Sequence, residues 1–378
     1  MHSHDLARHR LVRVVRMAFA VLILSAIPAL ACPVCITAPE RTVADWILDS
    51  ETVVLAREDP SKPFAFVPVQ VLKGSVGAAP IPFLVDSTTQ QRLRAVPEDA
   101  VLLVRASVGA TQPFALAKPQ AEWQRLAYVD APYRTLIGQI LSLRNDWRAD
   151  QTGRTRFAFF EALLDHEDPA IRDLALSEIA RAPYRLVRTM TLRLASAEII
   201  RSLRDPTMIQ WAPTYILLLG QSNDPVGREL IRGTVRTGAI YGAQSNLAAW
   251  ATALIEIDGP EGISMIAQDY LRASRRSPAE LTAIITAFGV HGSDGDPALR
   301  PVIVAEYHRL AHTNPEVAPI IAHYLASLND CSQTTYLEGL LDKADLWSPP
   351  ESFMLSVYVA MSREKRECRV ERSFSPHD

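Results

Sequence analysis

The pentad Asp-Pro-x-x-Arg occurs three times in this chain, at Asp168–Arg172, Asp224–Arg228 and Asp296–Arg300, inside a long stretch whose apolar residues fall at helical spacing. No other feature limits the fold as strongly. An Asp side chain accepts from the free N–H groups at a helix start. Pro suits the next position because its missing N–H and fixed φ cost nothing there. The Arg side chain projects from the same helix face and can reach back towards the Asp or towards a neighbouring unit. Related breaks occur at Asp205-Pro206, Asp258-Gly259-Pro260 and Asn314-Pro315. One copy would be ordinary helix capping, whereas three copies in a wholly helical stretch indicate repetition. Asp224 and Asp296 are 72 residues apart, or two units of 36, while Asp168 and Asp224 are separated by 56, so the array is irregular.

The best unit runs through Phe157, Phe160 and Leu164, then Asp168, the Ile171-Arg172 pair, Ala175 and Ile179. This pattern resembles the HEAT-repeat family over about residues 151–345. Two copies depart from it: Gly227 stands where the family has Val or Ile, and Pro301 follows the Arg of the third. The resemblance implies an α-solenoid of four to six helix pairs over 151–362, followed by a polar tail at 363–378. A single helix pair cannot bury its apolar face alone, but stacked pairs form a continuous core. The resemblance further implies a concave surface that binds a protein or peptide partner, more than it implies catalysis.

Residues 32–120 read differently. Glu51–Arg57, Phe64–Leu72, Ile81–Val85 and Ala100–Arg105 are β-branched or aromatic runs bounded by turn clusters, with Phe114–Ala117 a weaker fifth. Such spacing predicts a small sheet or barrel. Thr42–Leu48 suits a short helix before the first strand, and Pro68 suggests an edge position or a bulge in the second. From Trp123 to Trp147 the period becomes helical, so 121–150 is expected to be a connecting helix. Cys32 and Cys35, Ala44-Asp45, Thr52-Val53-Val54 and Val71-Leu72-Lys73-Gly74 together are similar to netrin/TIMP-type OB-fold modules. Those modules pair their first cysteines with others inside the domain, and this chain has none between Cys35 and Cys331; protease inhibition is therefore not carried over. The expected fold class is α+β, mostly α: a small N-terminal β-domain, with an OB-like barrel as one form, followed by a HEAT-like α-solenoid.

The N-terminus carries an address. Arg8, Arg10, Arg13 and Arg16 precede an apolar run from Met17 to Leu30, and Ala29-Leu30-Ala31 follows. A basic region, a short apolar region and A-x-A read as a secretory signal over 1–31. The apolar run is short for a membrane span, which needs about 20 residues. Cleavage would leave 347 residues with 35 Lys+Arg against 41 Asp+Glu, where the whole chain has 39 against 42. That acidic balance argues against nucleic acid as a partner. Cleavage would also make Cys32 the first residue, and its acylation would attach the protein to a membrane as a lipoprotein. The expected location is the bacterial periplasm or cell envelope.

Cys32, Cys35, Cys331 and Cys368 are the disulfide or thiol candidates. A thioredoxin-like CxxC needs a strand before it, which cleavage would remove. Covalent haem attachment needs His where Ile36 stands, and Cys331 and Cys368 lack the spacing of a second zinc pair. In an exported chain disulfides are the expected state, with Cys331–Cys368 stapling the C-terminal segment. His291–Asp296 reads as an acidic inter-helix turn and not a calcium loop, and Trp211, Trp250 and Trp347 read as core. No G-x-S-x-G, P-loop, G-x-G-x-x-G or H-E-x-x-H occurs, so no catalytic residue, metal ligand or cofactor is assigned. The repeat positions Asp168, Arg172, Asp224, Arg228, Asp296 and Arg300 are structural. The function expected is an exported binding or scaffold protein acting through protein–protein contacts; the alternative is an envelope thiol or metal protein using Cys32 and Cys35.

Overall fold

The computed structural model describes residues 34, 39–77, 81–108, 120–242, 245–272, 276–343 and 346–365. The expected signal at 1–31, Cys32, Cys35, the weak strand at 114–117 and Cys368 lie outside them. Among the described residues the chain is α+β and mostly helical, with one four-strand antiparallel sheet near the N-terminus.

The head comprises α1 (Val43–Asp49), β1 (Thr52–Asp59), β2 (Lys62–Lys73), α2 (Ser87–Ala95), β3 (Ala100–Val108) and β4 (Gln120–Val129). Its strand order is β2-β1-β3-β4. Central β1 alternates two buried faces. Val53 and Leu55 join the main core of the molecule, whereas Val54 and Ala56 pack with Phe66, Val85 and Leu93 in a second, smaller cluster. A strand buried on both sides needs a continuous apolar run, and Val53–Ala56 is one. Pro68 sits in the edge strand β2, opposite Ala56 and beside a register shift. At the edge its missing N–H leaves no central ladder bond unmade.

Three local expectations are corrected here. The segment from Trp123 is not helical at first. It is β4, paired with β3 from Ala100 opposite Val129 to Val108 opposite Gln120. Its polar alternation is weak because it is an outer strand, so the apolar period did not reveal it. Ile81–Val85 is not a strand but makes one isolated bridge, Leu84 to Ala65. Polar α2, started by Asp86 accepting from the Thr89 N–H, lies where no element was expected.

After the sheet, α3 (Ala131–Ser142), started by Asp130 and Pro132, and α4 (Arg144–Ala149) lead into the body. There α5 (Arg154–Glu161) pairs with α6 (Pro169–Arg181), and the short α7 (Tyr184–Val187) follows. The next pairs are α8 (Ser196–Leu203) with α9 (Ala212–Gly220), α10 (Pro225–Tyr241) with α11 (Leu247–Asp258), and α12 (Pro260–Ile266) with α13 (Pro278–Asp294). Last come α14 (Arg300–Thr313) with α15 (Ala318–Ser327) and α16 (Thr334–Leu341) with α17 (Pro349–Glu364). The second helices form one row, each packed on the next from α6 through α9, α11, α13 and α15 to α17. The body is thus a two-row helical stack of solenoid type. Every residue of α9 is buried, as are Leu247–Ile255 of α11. Each buried Leu, Ile or Val contributes roughly 1.5–3 kcal/mol, so this inner row carries much of the hydrophobic stabilisation.

The stack also accounts for the uneven repeat spacing. Asp168 begins a second helix, whereas Asp224 and Asp296 lead into first helices. From the third pair onward the residues before the first-helix segments are Asp224, Gly259, Asp296 and Gln333, which are 35, 37 and 37 residues apart. The interval of 56 joined two unlike positions. Gly at 227 has a packing reason: a Cβ there would lie 2.8 Å from Leu219 Cδ1 of α9. Pro301 falls in the first turn of α14, where its missing N–H has no intrahelical partner to lose.

Candidate functional site

The segment between α6 and α8 decides the shape of the site. It does not run along the outside but crosses the inner row, so α7 packs on α13. Tyr184, Leu186 and Val187 are buried. Polar contacts hold the crossing in place. The Tyr184 hydroxyl donates to Glu256 Oε2 at 2.8 Å, and Arg188 Nε donates to both Glu256 oxygens at 3.1 and 2.8 Å. His291 stands beside them, 1% exposed, with its ring 5.2 Å from the Tyr184 ring in an edge contact. Its Nε2 lies 2.9 Å from the Thr252 carbonyl. A carbonyl only accepts, so Nε2 carries the proton. Nδ1 then has no hydrogen-bond partner and faces Glu256 Oε2 at 4.0 Å. Burial depresses the His291 pKa to about 4, and the neighbouring Glu256 carboxylate only partly opposes it.

His291 was expected in a turn. Helix α13 instead runs through His291-Gly292-Ser293-Asp294, because Gly292 lets the helix pass Leu328: a Cβ there would lie 3.1 Å from Leu328 Cδ1. Trp211 and Trp250 are buried, and half-buried Trp347 donates to the Leu340 carbonyl at 2.8 Å.

Contact between the crossing segment and the far end of α13 brings the first and fourth helix pairs together. Arg185 Nη1 lies 3.5 Å from Asp294 Oδ1, though the two residues are 109 apart in the chain. The crossing segment is thus packed against the row of second helices at α11 and α13. An open cleft of about 770 Å³ results, lined by Thr152, Arg154, Arg185, Leu186, Arg188, Thr189, Asp294 and Gly295. Thr152, Arg185 and Leu186 also border a smaller hollow of about 240 Å³ that reaches the head.

That second hollow ends at the joint between head and body. Arg156 on α5 donates to both oxygens of Glu178 on α6 at 2.8 Å each, and to Asp45 Oδ1 on α1 at 2.7 Å. The Thr42 hydroxyl also donates to Glu178, and Arg181 donates to Asp45. Glu178 is 9% exposed. Burial raises its pKa, and the donors of Arg156 pull against that rise. For Asp45 burial acts upward too, but Arg156, the Thr42 N–H and Arg181 together lower it.

Of the residues singled out from the sequence, Asp294 and Gly295 of the 291–296 segment border the cleft, whereas the repeat positions lie away from it. Asp168, Asp224 and Asp296 accept from the N–H groups of Ala170, Gly227 and Ala298 at helix starts. Their arginines reach backbone carbonyls, not the capping carboxylates: Arg172 that of His166, Arg228 that of Ile257, and Arg300 that of Gly292. Ile257 and Gly292 lie in the last turns of α11 and α13, where carbonyls lack intrahelical donors and the guanidinium supplies them, whereas His166 lies in the loop before α6. Arg228 thereby ties the two helices of its own pair, α10 and α11, together. Cys331 is disulfide-bonded; Cys32, Cys35 and Cys368 lie outside the described residues. Among the described residues no three His, Cys, Asp or Glu side chains are placed to hold a metal ion, and no helix is long and apolar enough to cross a membrane.

Fold and site define the class by themselves: an α+β protein, mostly helical, whose head is joined by charged contacts to a helical stack with an open cleft bordered by arginines. No protein-family model, curated protein or solved structure matches the chain.

Proposed function

We propose that this is an exported binding or scaffold protein of the cell envelope, whose HEAT-like helical stack holds a segment of a protein partner in its concave cleft. One observation carries the reading. The cleft is open where the first and fourth helix pairs approach each other, and its walls are fixed by buried contacts through Tyr184, Arg188 and Glu256. A preformed groove on a rigid frame suits binding, since little freedom is lost when it is occupied. The disulfide at Cys331 supports export, because such bonds persist chiefly in oxidising compartments.

Capture from envelope extract tests the proposal. The wild-type protein, exported with its own N-terminus, should retain a defined partner that an Arg154→Glu/Arg185→Glu variant loses. Identical capture by both proteins would remove the cleft from the function. Intact-mass measurement of the exported protein, with and without reductant, addresses the N-terminus and the thiols together. A mass starting at Cys32, with or without an acyl chain, supports export, whereas retention of the first 31 residues in a cytoplasmic fraction opposes it.

A further inference from the structure

We infer that the occupant of the cleft is an acidic, extended peptide segment; this rests on the partner-binding reading above. Three arginines bordering the cleft keep unspent donors. Arg154, at the start of α5, makes no ion pair among the described residues. Arg185 has only the 3.5 Å approach to Asp294, and its side chain is 55% exposed. Arg188 gives Glu256 its Nε, which leaves its two terminal amino groups without a protein acceptor among the described residues. Three guanidinium groups thus border one cleft with much of their fork geometry open, and that geometry matches a carboxylate.

The carboxylates nearby are already engaged. Asp150 accepts from the backbone and hydroxyl of both Thr152 and Thr155 within its own turn. Asp45 and Glu178 are held by Arg156, and Glu256 by Tyr184 and Arg188. Asp294 alone borders the larger cleft as an acid. The lining of the larger cleft thus sets three arginines against Asp294 on a chain whose net charge is -3, an asymmetry that favours an anionic partner and steers it inward.

Size and lining narrow the chemistry. Two hollows of about 770 and 240 Å³, which share Thr152, Arg185 and Leu186 on their borders, exceed what one small anion fills. Phe157, Pro183 and Leu186 add apolar surface beneath the arginines. An extended peptide places successive side chains on opposite sides, so alternate residues can meet the arginines and the apolar floor.

The test uses the exported protein and labelled peptides of alternating Glu and Ala, with Gln–Ala and Lys–Ala peptides of equal length, read by fluorescence anisotropy. The Glu peptide should bind, more weakly as salt rises, and Arg154→Ala/Arg185→Ala should weaken it by about tenfold or more. Both side chains are solvent-facing, and an unchanged urea midpoint verifies that the variant is folded. Equal binding of the Gln or Lys peptide overturns the inference, as does unchanged binding by the variant. Displacement of the Glu peptide by equimolar inorganic phosphate would make the cleft a small-anion site and overturn it as well. If the Glu peptide fails while envelope capture still depends on Arg154 and Arg185, the acidic occupant is wrong and the binding function stands.

Discussion

Arg156 and Glu178 form a charged pair in which each residue depends on the other. Removing one partner of a buried pair leaves the other charge without compensation, which costs about 3–5 kcal/mol. Arg156→Ala should therefore cost that much in urea unfolding, since Glu178 would keep only the Thr42 hydroxyl as a side-chain donor. Arg156→Met/Glu178→Leu should cost distinctly less than the single change. Equal losses would mean that the pair acts by packing alone. His291 carries a pH dependence whose sign follows from its neutral, buried state. The unfolded chain binds a proton at the ordinary imidazole value near 6.5, whereas the folded chain does so only at about 4. Stability is thus full above about 6.5 and falls as pH drops to about 4, by up to about 3 kcal/mol. His291→Gln keeps an N–H donor for the Thr252 carbonyl and should flatten that slope, which urea midpoints across this range would reveal. None of these residues stood out as a pair in the sequence: Arg156 and Asp45 are 111 residues apart, and Tyr184 and Glu256 are 72 apart.

Among the elements, capped helices were the most legible because their signals are local. Thr42 with Asp45, Ser277 with Glu280, and Ser348 with Glu351 each close a capping box within three residues. Close helix crossings are the opposite case, since they depend on what lies across the interface. A Cβ on Gly289 of α13 would lie 2.2 Å from the Tyr324 ring of α15. Gly289→Ala should then destabilise by roughly 1–3 kcal/mol despite its better helix propensity, because the ring must move. Combining it with Tyr324→Leu should give less than the sum of the two separate losses. Additive losses would show that the ring does not restrain that position. Strand β4 and helix α2 escaped the sequence reading for another reason. Both lie at the margin of the head with mixed polar surfaces, so backbone pairing and capping, rather than apolar periodicity, hold them.

On the scale of the molecule, one continuous core runs from α1 and one face of the sheet through the inner row to Tyr358 in α17. A stack of repeats can unfold in stages when its interfaces are weak. Here the shared core and the Arg156 contacts join the head to the first pair, so calorimetry should record one endotherm for head and body. Val53→Ala, in the head and 0% exposed, should cost roughly 2 kcal/mol. It should move the whole endotherm down by several degrees. A separate low-temperature shoulder would instead make the head an independent unit.

Sequence alone determined that the chain is α+β and mostly helical, that its body is punctuated by Asp-Pro helix starts, and that its head contains strands. Those properties follow from interactions within a few residues and from which side chains avoid water. It also contained the cue for 36-residue units, but not which helix of a pair each copy begins, since a cap has the same chemistry at either place. Tertiary structure alone decided that the segment after α6 crosses the inner row, that Arg185 meets Asp294, and that unspent arginines border one cleft. Such contacts join residues far apart in the chain, and where they fall is set by many small packing choices along the stack.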